Sequence, residues 1–170
     1  STGFDAAEFD VVWAQESACH TPDKSAFCGE AARLLRPGGR LVLAEYVLSP
    51  GAPGADVAAW ERGWEMTLYD EEAWRSSLEA AGFVDIEFDD VTTRMRRSLR
   101  RLDRLCKALN PIAQILHSLR IRTDAQQRNI AGSLAMGRAL DERRWYYAIV
   151  TARFPDAVLV PESSERGSVS

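Results

Sequence analysis

The stretch from Phe9 to Ser49, FDVVWAQESACHTPDKSAFCGEAARLLRPGGRLVLAEYVLS, limits the folding options of this chain more than any other. Val11 to Ala14 and Leu41 to Ala44 are short apolar runs rich in β-branched residues, the pattern of strands buried on both faces of a parallel sheet. Between them Thr21, Pro22 and Asp23 supply cap and first-turn chemistry for a helix, whose inner face is Phe27, Ala31, Leu34 and Leu35. Pro37-Gly38-Gly39 ends that helix. Parallel strands need a crossover of a dozen or more residues, usually a helix, so this order specifies a βαβ unit and an α/β chain.

Downstream, Ser49 to Gly54 is a loop by its proline and glycine content, and it opens into a helix over Ala55 to Tyr69. The stripe Val57, Trp60, Trp64 and Leu68 has two readings: the packing face of that helix, or the aromatic wall of a substrate pocket. Asp70 to Ala81 predicts a helix with Asp70 as N-cap, Glu71 and Glu72 in its first turn, Trp74, Leu78 and Ala81 facing inward, and Gly82 as its stop. Phe83 to Val91 alternates Val84, Ile86 and Phe88 with Asp85, Glu87 and Asp89, the period of a half-exposed strand.

Arg94 to Arg104 holds six arginines around Met95, Leu99 and Leu102, an apolar face continued by Leu105, Cys106 and Leu109. A solvated helix face, a strip for phosphate or an anionic surface, and a nucleic-acid contact all fit this pattern. Asn110-Pro111 is expected to break the helix and cap a second one carrying Ile112, Ile115, Leu116 and Leu119, with His117 at its margin. Thr123 to Leu140 predicts a third, with Ile130, Leu134 and Met136 inward and Gly132 and Gly137 permitting close approach. Trp145 to Phe154 is a strand of high β propensity ended by Pro155, and the remainder to Ser170 has the composition of a disordered tail.

The formal charge of −4 over 170 residues leaves no global basic footprint for nucleic acid. Cys19, Cys28 and Cys106 are odd in number with no CxxC pair, and His20 and His117 are the only histidines, so neither a disulfide framework nor a metal site is suggested. No apolar run approaches the ~20 residues of a membrane-spanning helix. A cytoplasmic chain with no membrane span is therefore expected.

The order FDVVWAQES, CHTPDK, EAARLLRPGGRLVLAE resembles the central part of the Rossmann-like S-adenosylmethionine-dependent methyltransferases. Within them it is most similar to the small-molecule branch that includes tocopherol, sterol, sarcosine/dimethylglycine and sugar O-methyltransferases. AAGF followed by an alternating strand matches the sixth strand of that family. The resemblance implies the C-terminal half of such a sheet: about four strands, the last antiparallel, with residues 94–141 as a helical cap insertion in a partial domain spanning 1–154, and 155–170 as a tail. In this family a glycine-rich turn and an acidic residue, both preceding the matched block, hold the cofactor. Here Gly3 is the only glycine before that block, so the chain is expected to be the acceptor-binding half, inactive alone.

By the same resemblance S-adenosyl-L-methionine is the cofactor, met by Ala14, Gln15, Glu16 and His20. A small lipophilic, aromatic or glycosylated acceptor is met by Tyr46, Trp60, Trp64 and Asp90. Methyl transfer from a sulfonium needs chiefly alignment, with a base only if the acceptor carries a proton at attack. Glu16, His20 and Asp90 are the candidates for that base, although Glu16 also reads as a solvated loop carboxylate and Asp90 as a helix cap. The expected partners are the acceptor and either the missing N-terminal half or a second copy, as a homodimer or by strand swapping. The alternative is a non-enzymatic half-domain acting through its unpaired first strand.

Overall fold

A computed structural model describes residues 2–51, 54–121 and 123–156; Ala52 and Pro53 of the expected loop, and the tail from residue 157 onward, lie outside the described residues. The elements in chain order are β1 (Phe9–Gln15), a 3-10 turn (Ala18–His20), α1 (Lys24–Leu34), β2 (Leu35–Leu48), α2 (Gly54–Trp64), β3 (Tyr69–Asp70), α3 (Glu71–Ala80), β4 (Val84–Asp90), α4 (Thr92–Ser118), α5 (Asp124–Asp141) and β5 (Trp145–Arg153). The sheet runs β1-β2-β5-β4, with the two-residue β3 on the end of β2. β1 and β2 are parallel, and β5 enters antiparallel to both β2 and β4. The mixed α/β class, the antiparallel last strand and the helices ahead of it agree with the expected architecture.

Alternation along β2 and β5 divides the core into two layers. Leu41, Leu43, Val47, Ala148, Val150 and Ala152 face α1 and α3, meeting Cys28, Ala31, Trp74 and Leu78. Ala44, Tyr46, Trp145 and Tyr147 face the other way, meeting Val57 and Trp60 of α2, Leu99 of α4 and Met136 and Ala139 of α5. Asp23 caps α1 by accepting from the Ala26 N–H at 2.9 Å, and Asp70 caps α3 through Ala73 at 2.8 Å. Gly63 of α2 and Gly132 of α5 meet backbone to backbone: a Cβ on Gly63 would lie 2.6 Å from the Gly132 Cα.

Several expectations are corrected. β1 is not buried on both faces: Val12 and Ala14 pack into the core, whereas Trp13 on the opposite face is 70% exposed, and the outer edge of the strand is also open among the described residues. Pro37-Gly38-Gly39 does not stand between helix and strand. It is an irregularity inside β2, spanning the register shift from Phe9–Leu35 to Val11–Arg40, and Gly38 (φ +78°) donates to the Phe154 carbonyl at 3.1 Å while the Gly39 carbonyl accepts from Phe154 at 2.8 Å. The helix over 55–69 stops at Trp64, where Glu65 turns to φ +53°.

Pro111 does not break its helix, which runs unbroken through 27 residues, so the stretch between β4 and β5 has two helices among the described residues rather than three. The proline lies on the exposed side, forfeits a single hydrogen bond, and is carried through by the turns that flank it. Ile130 and Leu134 are only half-buried. Met136 lies inward as expected, and the rest of the buried face of α5 is Gly132, Ser133, Ala135 and Ala139, small residues that let α2 lie close.

Candidate active site

β1 delivers the backbone to the carboxyl end of the parallel pair, where ligands of open α/β sheets bind. Gln15, its last residue, sits opposite Ala44 and is exposed; Ala14 is buried. Glu16 then turns left-handed at φ +48°, its N–H held by the Ala44 carbonyl at 2.9 Å. A non-glycine residue in that region is uncommon and is maintained by its surroundings. Here the half-buried Glu16 carboxylate accepts from the Tyr147 hydroxyl at 2.9 Å. Burial first, and then Glu16, pushes the Tyr147 and Tyr46 phenols well above their usual range. Glu16 is therefore anchored to β5 and is not the freely solvated carboxylate of one reading.

Beneath the turn lie two charged side chains that are almost fully enclosed. Glu45 is 0% exposed, and its Oε1 accepts from the backbone N–H groups of Ser17 (3.1 Å), Ala18 (2.8 Å) and Cys19 (3.4 Å). Its Oε2 is buried without a hydrogen-bond partner. Burial raises the Glu45 carboxyl, against the opposing pull of those N–H groups. Lys24 is 1% exposed; its Nζ donates to the carbonyls of Thr21 (2.9 Å) and Cys19 (3.4 Å) and lies 5.0 Å from the centre of the Tyr69 ring and 5.9 Å from that of Trp74. Burial lowers the Lys24 ammonium. The Cys19 thiol is pushed up to about 12, by burial first and then by Glu45.

The remaining expected site residues are dispersed. His20, exposed at the end of the 3-10 turn, lines a cavity of about 280 Å³ with Pro22, Glu61, Arg62 and Met66. Asp90 ends β4, separated from β1 by β2 and β5, and its Oδ1 accepts from the Thr92 N–H at 2.8 Å, a local turn bond ahead of α4, whose N-cap residue is Val91. Tyr46 and Trp60 are buried in a closed aromatic cluster: the Tyr46 ring lies 5.0 Å from Trp60, 5.3 Å from Trp145 and 5.2 Å from Tyr147, all edge to face. Trp64 closes the cluster at 6.3 Å, half-buried, with its indole N–H donating to Ser133 at 3.2 Å and to the Asn129 carbonyl at 3.3 Å. These contacts match the packing reading of the stripe.

Lys24 and Tyr147 escaped the sequence reading. Lys24 precedes Cys28 and Ala31 by four and seven residues, which places it on the inner helical face despite its charge. Tyr147 carries no comparable mark within a strand of continuous β propensity. Among the described residues no group of His, Cys, Asp or Glu could hold a metal ion, and no helix is long and apolar enough to cross a membrane.

Residues 1–43 match the family described as Methyltransferase domain. The chain is 33% identical over 156 residues to the 27-O-demethylrifamycin SV methyltransferase of Amycolatopsis mediterranei (strain S699), covering 88% of this chain and 54% of that protein. It is 35% identical over 95 residues to phosphoethanolamine N-methyltransferase 1 of Triticum aestivum, covering 55% of this chain and 19% of that one. The chain is thus similar to Rossmann-like, S-adenosylmethionine-dependent methyltransferases. Among solved structures, Haemonchus contortus phosphoethanolamine N-methyltransferase 2 in complex with S-adenosyl-L-methionine shares the fold, with a TM-score of 0.66 at 19% identity over 90% of this chain and 35% of that one. The [4+2]-cyclase SpnF aligns with a TM-score of 0.62 at 28% identity, over 92% of this chain and 53% of that one. The chain spans about a fifth to a half of the length of these relatives.

Proposed function

We propose that the chain forms the acceptor side of an S-adenosylmethionine-dependent methyltransferase of small molecules, with Ala14 to His20 as the edge that meets the cofactor. The observation that carries this reading is the Glu16 carboxylate, held by Tyr147 at the carboxyl end of a parallel strand. When bound, S-adenosylmethionine would supply a methyl group on a positively charged sulfur. An anchored carboxylate beside two buried phenols suits a cation, and the exposed Gln15 amide adds a neutral hydrogen-bonding group at the same margin. Where the acceptor carries a proton at attack, Glu16 is the favoured base and His20 the second; Asp90 lies two strands away from β1, with its Oδ1 bonded to the Thr92 N–H.

The acceptor is a small lipophilic, aromatic or glycosylated molecule. Residues 94–141 cover it as a cap within a unit spanning 1–154, with 155–170 as a tail, in a cytoplasmic enzyme. The relatives named above act on phosphoethanolamine and on a rifamycin, chemistries too different to narrow the choice. Because the sequence holds no Gly-x-Gly turn, the chain alone is inactive and binds cofactor weakly. Isothermal titration with S-adenosylmethionine is expected to show no binding tighter than roughly millimolar; micromolar affinity would overturn this division of labour.

The open edge of β1 supports a second reading, as an interaction module. Val11 (53% exposed) and the still more exposed Trp13 present apolar surface beside unpaired backbone groups, a template for strand addition. Either reading needs partner strands, from a longer chain or from a second copy. Sedimentation equilibrium at high concentration is expected to show self-association, and a clean monomer would remove the interaction-module reading.

A further inference from the structure

We infer that Glu45 and Lys24 are positioning residues, clamping the turn from Glu16 to His20 at its two ends. This rests on the reading of that turn as the reactive edge. A single 3-10 turn has unpaired N–H groups at its start and unpaired carbonyls at its end. Here the N–H groups of Ser17, Ala18 and Cys19 converge on one Glu45 oxygen, while the carbonyls of Cys19 and Thr21 converge on the Lys24 ammonium. The negative group meets the positive end of the peptide dipoles and the positive group the negative end, so each charge favours the same backbone conformation.

Both side chains come from rigid elements. Glu45 lies near the carboxyl end of β2, paired with Ala148 of β5, and Lys24 opens α1 directly after its N-cap. Neither reaches solvent, so neither serves solubility. Enclosing a carboxylate and an ammonium is costly unless their hydrogen bonds are specific, and the specificity here falls on the link from Glu16 to Asp23 between β1 and α1. That link carries Glu16, left-handed and bonded to Tyr147, and His20, exposed at the rim of its cavity. A turn freed of its clamp would let Glu16 relax from φ +48° and leave the Tyr147 hydroxyl.

NMR of this chain, labelled with 15N and with 13C at the tyrosine ring carbon bearing the hydroxyl, tests the clamp without requiring turnover. Glu45→Leu is expected to speed hydrogen exchange at the Ser17, Ala18 and Cys19 amides by at least about tenfold, the loss of one ordinary hydrogen bond each, and to shift the Tyr147 carbon signal toward that of Glu16→Gln. In Glu45→Gln, which keeps an acceptor oxygen, the same amide protons are expected to move upfield while the Tyr147 signal stays near wild type, a conservative rescue. Glu16→Gln should move Tyr147 and leave exchange at those amides unchanged. If Glu45→Leu does not fold, an unmoved set of amides in Glu45→Gln overturns the clamp. If it folds, wild-type exchange and an unmoved Tyr147 signal do so. Absence of methyl transfer from an assembled enzyme, with these signatures intact, would instead reject the methyltransferase reading and leave the clamp standing.

Discussion

Charge is handled in opposite ways on the two sides of this molecule. Under the turn after β1, one carboxylate and one ammonium are enclosed and each is bonded to specific backbone groups. Along α4 and its end, Arg94 to Arg120 carries eight basic residues against the single Asp103, beside a stripe from Leu102 through Leu109 and Ile112 to Leu119 that faces solvent. The few charges in the first region fix geometry, because buried polar groups tolerate only those arrangements that satisfy them. The many in the second dissolve a helix. Its ion pairs, such as Arg94–Asp89 at 4.0 Å, are solvent-exposed and contribute little.

The largest test of this contrast is Trp60→Ala, which empties the middle of the aromatic cluster and should cost about 3–5 kcal/mol by denaturant unfolding. A cost below about 1 kcal/mol would mean that the cluster is not a closed core. Gly63→Ala should follow at about 1–3 kcal/mol, since its Cβ would meet Gly132 backbone at 2.6 Å and push α2 from α5. Pro111→Ala restores an N–H to α4 and should stabilise the helix locally by about 1 kcal/mol, less than the ~3 kcal/mol of a fully enforced helix interior. Slower amide exchange confined to the second half of α4 is its expected signature.

A smaller effect links the buried carboxylate to pH. Because the folded-state value of Glu45 is raised, its contribution is fully present below the ordinary carboxylate value near 4.5 and is lost as pH climbs through the folded value. Glu45→Gln has no such loss, so the stability difference, variant minus wild type, should grow from pH 4 toward neutrality. A difference flat across that window would place Glu45 at an ordinary value. Smallest of all, Leu109→Ser should change stability by no more than about 0.5 kcal/mol, since the side chain is already exposed.

The sequence made the fold legible wherever local chemistry and burial agreed. Asp23 and Asp70 cap the helices they were expected to cap, and the stretch of high β propensity from Trp145 is the antiparallel strand between β2 and β4. Pro111 misled because a proline's local veto is weak where flanking turns hold the helix and its own face needs no partner. Pro37-Gly38-Gly39 misled because Phe154, distant in sequence, supplies the hydrogen bonds that keep those residues in a strand. At the site, the position of Glu16 could be read from the end of its strand. Its partner Tyr147, 131 residues on, could not, since strand order alone brings them together. Lys24 was hidden by the rule that charge belongs outside, which its contacts to Thr21 and Cys19 override.

The glycine-to-glycine seam between α2 and α5 has a mechanical consequence. Backbones that touch with no side chains between them have nothing to slide on, so the two helices travel as one body. Any give in this layer is then left to α4, whose far half is tethered by little more than Ala113, Leu116 and His117. In this fold the loose part and its frame are different helices.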